Sequence, residues 1–220
     1  MGAPLLQKPR SYRGSPIFKD FGLLKYQSVL IVGDASRRRA IFKVMRFAEP
    51  KTNVLQMGLH EGMKVGDLGA GSGHYALAAA TIVGSAGKVY AVDVQQDLLL
   101  RLADDAARAG IRNIETVWGD FERAGGTKLK DQALDAVILS NTLFQLERTE
   151  DALKEIKRVL RSGGKLLVVD WAGAYGGMGP SEENVVPEHR AEEIFIGGGF
   201  HKAKSFRGGP HHYSILFTAP

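Results

Sequence analysis

The sequence predicts an α/β fold, a doubly wound and mostly parallel sheet with helices on both faces and a basic N-terminal extension. Three observations carry this. Apolar runs of strand length alternate five times with helix-forming stretches, which argues for a parallel sheet covered on both sides. At 220 residues and 44% hydrophobic content, the chain suits one domain with an added element. A last pair of strand-like runs around Gly208-Gly209-Pro210 then closes the pattern as a hairpin.

Taken in order, residues 1–16 hold Pro4, Pro9, Gly14 and Pro16 among basic residues and predict an extended or mobile arm. Leu23–Val32 is strand-like, and Gly33-Asp34 breaks it before a helix over about 35–48. Glu49-Pro50-Lys51 ends that helix, and Thr52-Asn53 caps a short one over Val54–Leu59. The strands of the alternating region fall near 64–68, 88–93, 113–117, 134–139 and 164–170. Helices fall near 73–83, 95–109, 149–160 and 187–197, with a weak helical turn around 142–146. Trp171–Pro180 predicts a flexible glycine-rich loop, Phe200–Phe206 a strand and His211–Thr218 the final strand. The expected division is a basic extension over 1–51 and a core domain over 52–220.

The charge is divided in the same place. Residues 1–51 carry eleven Lys or Arg against three acids, +8, while the remainder carries eighteen against twenty-one, −3. On the helix expected at 35–48, Arg39, Lys43 and Arg46 share a face opposite Ile41, Val44, Met45 and Ala48. That stripe is either a solvated face or a docking strip for an anion. The chain contains no cysteine, which removes disulfides, thiolate metal ligands and a cysteine nucleophile. His211 and His212, adjacent in an expected strand, point to opposite faces and cannot grip one ion together, so no metal site is expected. No apolar run reaches the roughly 18 residues of a membrane span, and a signal-peptide core is lacking. The expectation is a soluble cytoplasmic protein.

The chemistry concentrates in Gly66–Tyr75. Asp67-x-Gly69-x-Gly71-x-Gly73 lies between a strand and an alanine-rich helix. Glycines there allow left-handed backbone and leave the main chain bare to a ligand. The turn opens on a helix N-terminus, where free amides favour an anionic group. A dinucleotide fingerprint would need a small residue where His74 stands, so that pattern fails.

Asp67-x-Gly69-x-Gly71-x-Gly73 resembles the first motif of the class I S-adenosylmethionine-dependent methyltransferases, and further stretches agree with it. Lys88–Asp93 ends a strand in an acid twenty residues after Gly73; Val117-Trp118-Gly119-Asp120-Phe121 ends another in an acid. Leu134–Asn141 and Val159–Asp170 resemble the family's fourth and fifth strands, although Ser162 stands where proline is usual. The resemblance spans about residues 53–218. It implies a Rossmann-like seven-stranded sheet of order 3-2-1-4-5-7-6 with strand 7 antiparallel, and S-adenosylmethionine as cofactor, leaving S-adenosylhomocysteine as product.

By the same resemblance, main-chain groups of Gly69, Ala70, Gly71, Ser72 and Gly73 hold the methionine part, with Asp67 placing its ammonium. Asp93 takes the ribose hydroxyls, with Val94 beside it. Gly119, Asp120 and Phe121 meet the adenine, and Asn141 lines the site. A general base is open among His74, Tyr75 and Asp170, with His211 or His212 further candidates.

The leading expectation is in-line methyl transfer to a small-molecule or lipid-like acceptor. An RNA methyltransferase using the basic quarter to bind phosphates is a second. A non-catalytic cofactor-binding protein, from another class, is the third.

Overall fold

The structure, a computed structural model, describes residues 48–220. The expected strand at Leu23–Val32, the helix at 35–48, the stripe of Arg39, Lys43 and Arg46, and nearly all of the 1–51 extension lie outside the described residues.

A short helix, α1 (Pro50–Leu55), leads into the strand and helix series β1 (Lys64–Leu68), α2 (His74–Val83), β2 (Lys88–Asp93), α3 (Gln96–Arg108) and β3 (Ile114–Trp118). Then come β4 (Leu134–Ser140), α4 (Thr149–Val159), β5 (Leu160–Trp171), α5 (Glu188–Gly197) and the hairpin β6 (His201–Gly209) with β7 (His212–Thr218). The sheet order is β3-β2-β1-β4-β5-β7-β6. The first five strands are parallel, and β7 runs antiparallel to both β5 and β6. This is the order expected above.

Helices bury the faces that their periodicity dictates. On α3, Leu99, Leu102 and Ala106 point inward; on α4, Ala152, Ile156 and Val159 do so. On α2, Ala76, Ala79, Ala80 and Val83 let the helix lie close to the sheet. Apolar residues of the central strand β4 alternate between the two faces, with Val137 and Leu139 in one core cluster and Ala136 and Ile138 in the other. A strand covered on both faces is apolar throughout for that reason.

Three segments differ from expectation. The short helix spans Pro50–Leu55, not Val54–Leu59, and no side chain caps it. Proline's fixed φ suits the first turn, so Pro50 opens this helix. Strand β5 begins at Leu160 because Ser162-Gly163-Gly164 is absorbed as an irregularity in its pairing with β4. The loop after β5 is pinned: Tyr175 and Met178 form a bridge, and a Cβ at Gly179 would stand 2.4 Å from the Trp171 ring.

Candidate active site

Parallel strands deliver Asp67, Asp93, Asp120, Asn141 and Asp170 to the edge of the sheet where β1 to β5 end. Between β1 and β4 the chain order reverses, and the glycine turn after β1 sits at that switch point.

The three glycines of the turn do three different things, although φ is positive at each (72°, 52° and 74°). A Cβ at Gly69 would stand 2.5 Å from Thr142 Cγ2, and one at Gly73 would stand 2.2 Å from Leu102 Cδ1. Those two are glycine because the fold crowds them. Around Gly71 nothing lies within 4 Å of the Cβ position. There the main chain is bare to a ligand.

Backbone bonds fix the turn to β2: the amides of Gly69 and Ala70 donate to Val92 O at 2.9 and 3.0 Å. The Gly71 amide donates to Asp93 Oδ2 at 2.7 Å, and Asp93 Oδ1 accepts the Gln95 amide at 2.8 Å. Each oxygen keeps acceptor capacity for a hydroxyl. Burial raises the Asp93 pKa, against the amides of Gln95 and Gly71. Val94, half exposed, stands beside it on the rim, with Trp118 Nε1 donating to its carbonyl at 3.0 Å.

Asp67 is fully buried, and burial lifts its pKa to about 7, against the Ala76 amide and with the Asp93 charge adding to the rise. Its Oδ2 has no hydrogen-bond partner among the described residues, and the same holds for Asn141 Oδ1 and Thr142 Oγ1. Unpartnered buried acceptors beside an open glycine turn are the form that a site for a cationic, hydrogen-bonding ligand takes. Helix α2 follows Gly73 with no cap from that residue, and Asp67 takes the Ala76 amide of its first turn.

At the far end of the turn, Phe121 lies 3.7 Å from the Cβ position of Gly69. Asp120 Oδ1 accepts the Glu122 amide at 3.0 Å and Oδ2 the Arg123 Nε at 2.8 Å. The Gly119 amide donates to Asp93 O at 3.1 Å, which joins the tips of β2 and β3.

The expected base candidates separate. Asp170 is buried with its pKa raised to about 7 by burial, and it accepts the amides of Leu143 and Trp171 at 2.9 and 2.8 Å. Its oxygens therefore hold the loop after β4 against β5. The Tyr75 hydroxyl is buried, pushed up to about 12 by burial, and accepts Asn53 Nδ2 at 2.8 Å. His74 is exposed on the first turn of α2. His212 packs on Trp171 with ring centres 4.3 Å apart, and His211 on Tyr175 at 4.2 Å. Gly173, Ala174, Glu182, Val185 and Pro187 line an open cavity of about 350 Å³, and the Tyr175 hydroxyl lies 3.6 Å from the Cβ position of Gly173. Among the described residues no cluster of metal-ligating side chains forms.

Two participants lay beyond sequence reasoning. Asn53 is fully buried and bridges the Tyr75 hydroxyl and Gly208 O, each at 2.8 Å. Glu155 on α4, also buried, accepts the amides of Gly125 and Thr127 at 2.9 and 3.1 Å. The one signal for Glu155 was its place in the 152, 155, 156, 159 spacing of the inward face of α4.

Comparison with known proteins decides the family. A profile described as "Methyltransferase domain" matches residues 59–194. The chain belongs to the class I S-adenosylmethionine-dependent methyltransferases. This methyltransferase domain is similar to an S-adenosylmethionine-dependent methyltransferase from Aquifex aeolicus, with a TM-score of 0.73 and 26% identity over 86% of this chain and 100% of that one. It is 31% identical over 118 residues to a ubiquinone/menaquinone biosynthesis C-methyltransferase of Haemophilus ducreyi, 52% of this chain and 44% of that protein. To an arsenite methyltransferase of Aquipseudomonas alcaligenes it is 32% identical over 144 residues, 63% of this chain and 39% of that protein. It thus spans under half the length of these two relatives. The family's cofactor is S-adenosylmethionine, and the open main chain at Gly71 with the unpartnered Asp67 Oδ2 fits its aminocarboxylate end.

Proposed function

We propose that this domain binds S-adenosylmethionine in the crevice between the glycine turn and the tip of β2 and methylates a small organic acceptor. The observation that carries the reading is the Gly71 amide resting on Asp93 beside open space. When bound, the cofactor supplies a methyl group made electrophilic by its sulfonium. The chain's part is to bind, orient and exclude water, and positioning of this kind supplies effective molarities of order 10^5–10^8 M. Asp93 holds the sugar, Asp67 the ammonium, the glycine turn leading into α2 the carboxylate, and Phe121 with Asp120 the base.

The two named relatives point to different acceptors, a carbon in quinone biosynthesis and arsenite. Trivalent arsenic is a soft centre that favours thiolate ligands, and this chain has no cysteine to offer one. An organic acceptor is therefore the better reading.

Incubation with methyl-labelled cofactor and either phenolic quinone precursors or arsenite tests this. Label in the phenolic products alone is expected. Label in methylarsenicals alone would overturn the acceptor assignment. Tight cofactor binding with no product from any acceptor would favour a binding protein instead.

A further inference from the structure

Glu155 stands on α4, away from the glycine turn, yet its carboxylate is the fixed point of the loop that carries Asp120 and Phe121. Its Oε2 accepts the Gly125 amide at 2.9 Å and Arg158 Nε at 2.8 Å. Its Oε1 accepts the Thr127 amide at 3.1 Å, the Thr127 hydroxyl at 2.5 Å and Arg158 Nη2 at 2.7 Å. The acid is 1% exposed and every lone-pair direction is used.

Between the two held amides lies Gly126. Its carbonyl accepts the Asp120 amide at 3.1 Å, and its own amide donates to Arg123 O at 2.9 Å. A Cβ there would stand 1.9 Å from Asp120 O, and one at Gly119 would stand 2.4 Å from Gly126 O. The Gly119–Gly126 loop is therefore closed on itself with no slack. A second strap runs to the start of α4, where Glu122 Oε2 accepts the amides of Glu147 and Arg148 at 2.7 and 2.6 Å. From Glu155 to the amides of Gly125 and Thr127, through the peptide units that flank Gly126, and from Gly126 O to the Asp120 amide, a short path of hydrogen bonds and main chain links the core to the rim.

We propose that Glu155 is a positioning residue for the nucleobase: by clamping both sides of Gly126 it holds the Asp120 and Phe121 segment where a 6-amino purine is told from a 6-oxo purine. The inference rests on the cofactor reading given above. Arg158 belongs to the same device, since its Nη1 also reaches Leu129 O at 2.9 Å and Asp131 Oδ1 at 2.5 Å. It keeps the acid ionised and the following stretch in place.

Titration calorimetry with S-adenosylhomocysteine and its S-inosyl analogue, on wild type, Glu155→Gln and Asp120→Ala, tests it. Glutamine turns one acceptor into a donor facing donors, so the clamp opens. Wild type is expected to favour the adenosyl ligand. In Glu155→Gln the adenosyl ligand should weaken about tenfold or more, as misplacement by an ångström can cost about 10²-fold, with the inosyl analogue nearly unchanged. A variant carrying both Glu155→Gln and Asp120→Ala should discriminate no worse than Asp120→Ala alone.

Thr127→Val, which removes one hydroxyl from the clamp, gives the same pattern in milder form and serves if Glu155→Gln does not fold. Equal weakening of both ligands, or of neither, would overturn the proposal while leaving the cofactor reading standing. No binding of either ligand to wild type would overturn both.

Discussion

The amide of Gly71 and the carboxylate of Asp93 meet at 2.7 Å, so the bare point of the glycine turn and the acid at the tip of β2 are one structure. The acid sets the turn's position and faces the crevice with its remaining lone pairs. Replacing Asp93 by alanine should remove both effects. A hydrogen bond to a charged group contributes about 1.5–3 kcal/mol, so S-adenosylhomocysteine should bind about 10- to 100-fold more weakly by calorimetry.

Gly71→Ala and Gly73→Ala should fail in opposite ways. At Gly71 an alanine meets no protein atom and carries only the left-handed backbone cost of about 1–2 kcal/mol. Its methyl would occupy the ligand's approach, so binding should be lost while the melting temperature falls modestly. At Gly73 the methyl would collide with Leu102, and the melting temperature should fall further. Paired thermal melts and binding titrations separate the two.

Cofactor affinity should rise with pH. Burial holds Asp67 at about 7 without ligand, and a cationic ammonium requires its carboxylate form. One proton lost on binding gives about tenfold tighter binding at pH 8 than at pH 6. Asp67→Asn should flatten that slope. For the ligand-free fold the sign is opposite: a raised carboxylate contributes stability that is full below its ordinary value and is lost as pH rises through about 7.

Glu155 predicts acid sensitivity of the reverse kind. Burial alone would raise its pKa, but Arg158, Thr127 and the Gly125 amide bring it from 4.5 to about 2. Its contribution is present above 4.5 and is lost as pH falls toward 2, about 3 kcal/mol across the window. Wild type should lose this increment in melts between pH 5 and 2, and Glu155→Gln should not.

Local pattern made most of the sheet legible. Runs such as Leu134–Ser140 are apolar because two faces cover them, and the Asp67 to Gly73 spacing marks a turn whatever surrounds it. Buried polar residues were hidden by distance. Asn53 finds Gly208 155 positions away, and Glu155 looks in sequence like an exposed i,i+3 partner of Arg158 until the loop at 125–127 folds over it. The short helix begins at Pro50, four residues before the expected Val54, because proline can open a helix as well as follow one, and only the surrounding fold chooses.

The most direct measurement is electron density for S-adenosylhomocysteine soaked into crystals of this chain. The account predicts the sugar hydroxyls on Asp93, the amino acid end along Gly69–Gly73 and the base against Phe121. A crevice left empty at saturating ligand, or the ligand bound with its sugar away from Asp93, would contradict it.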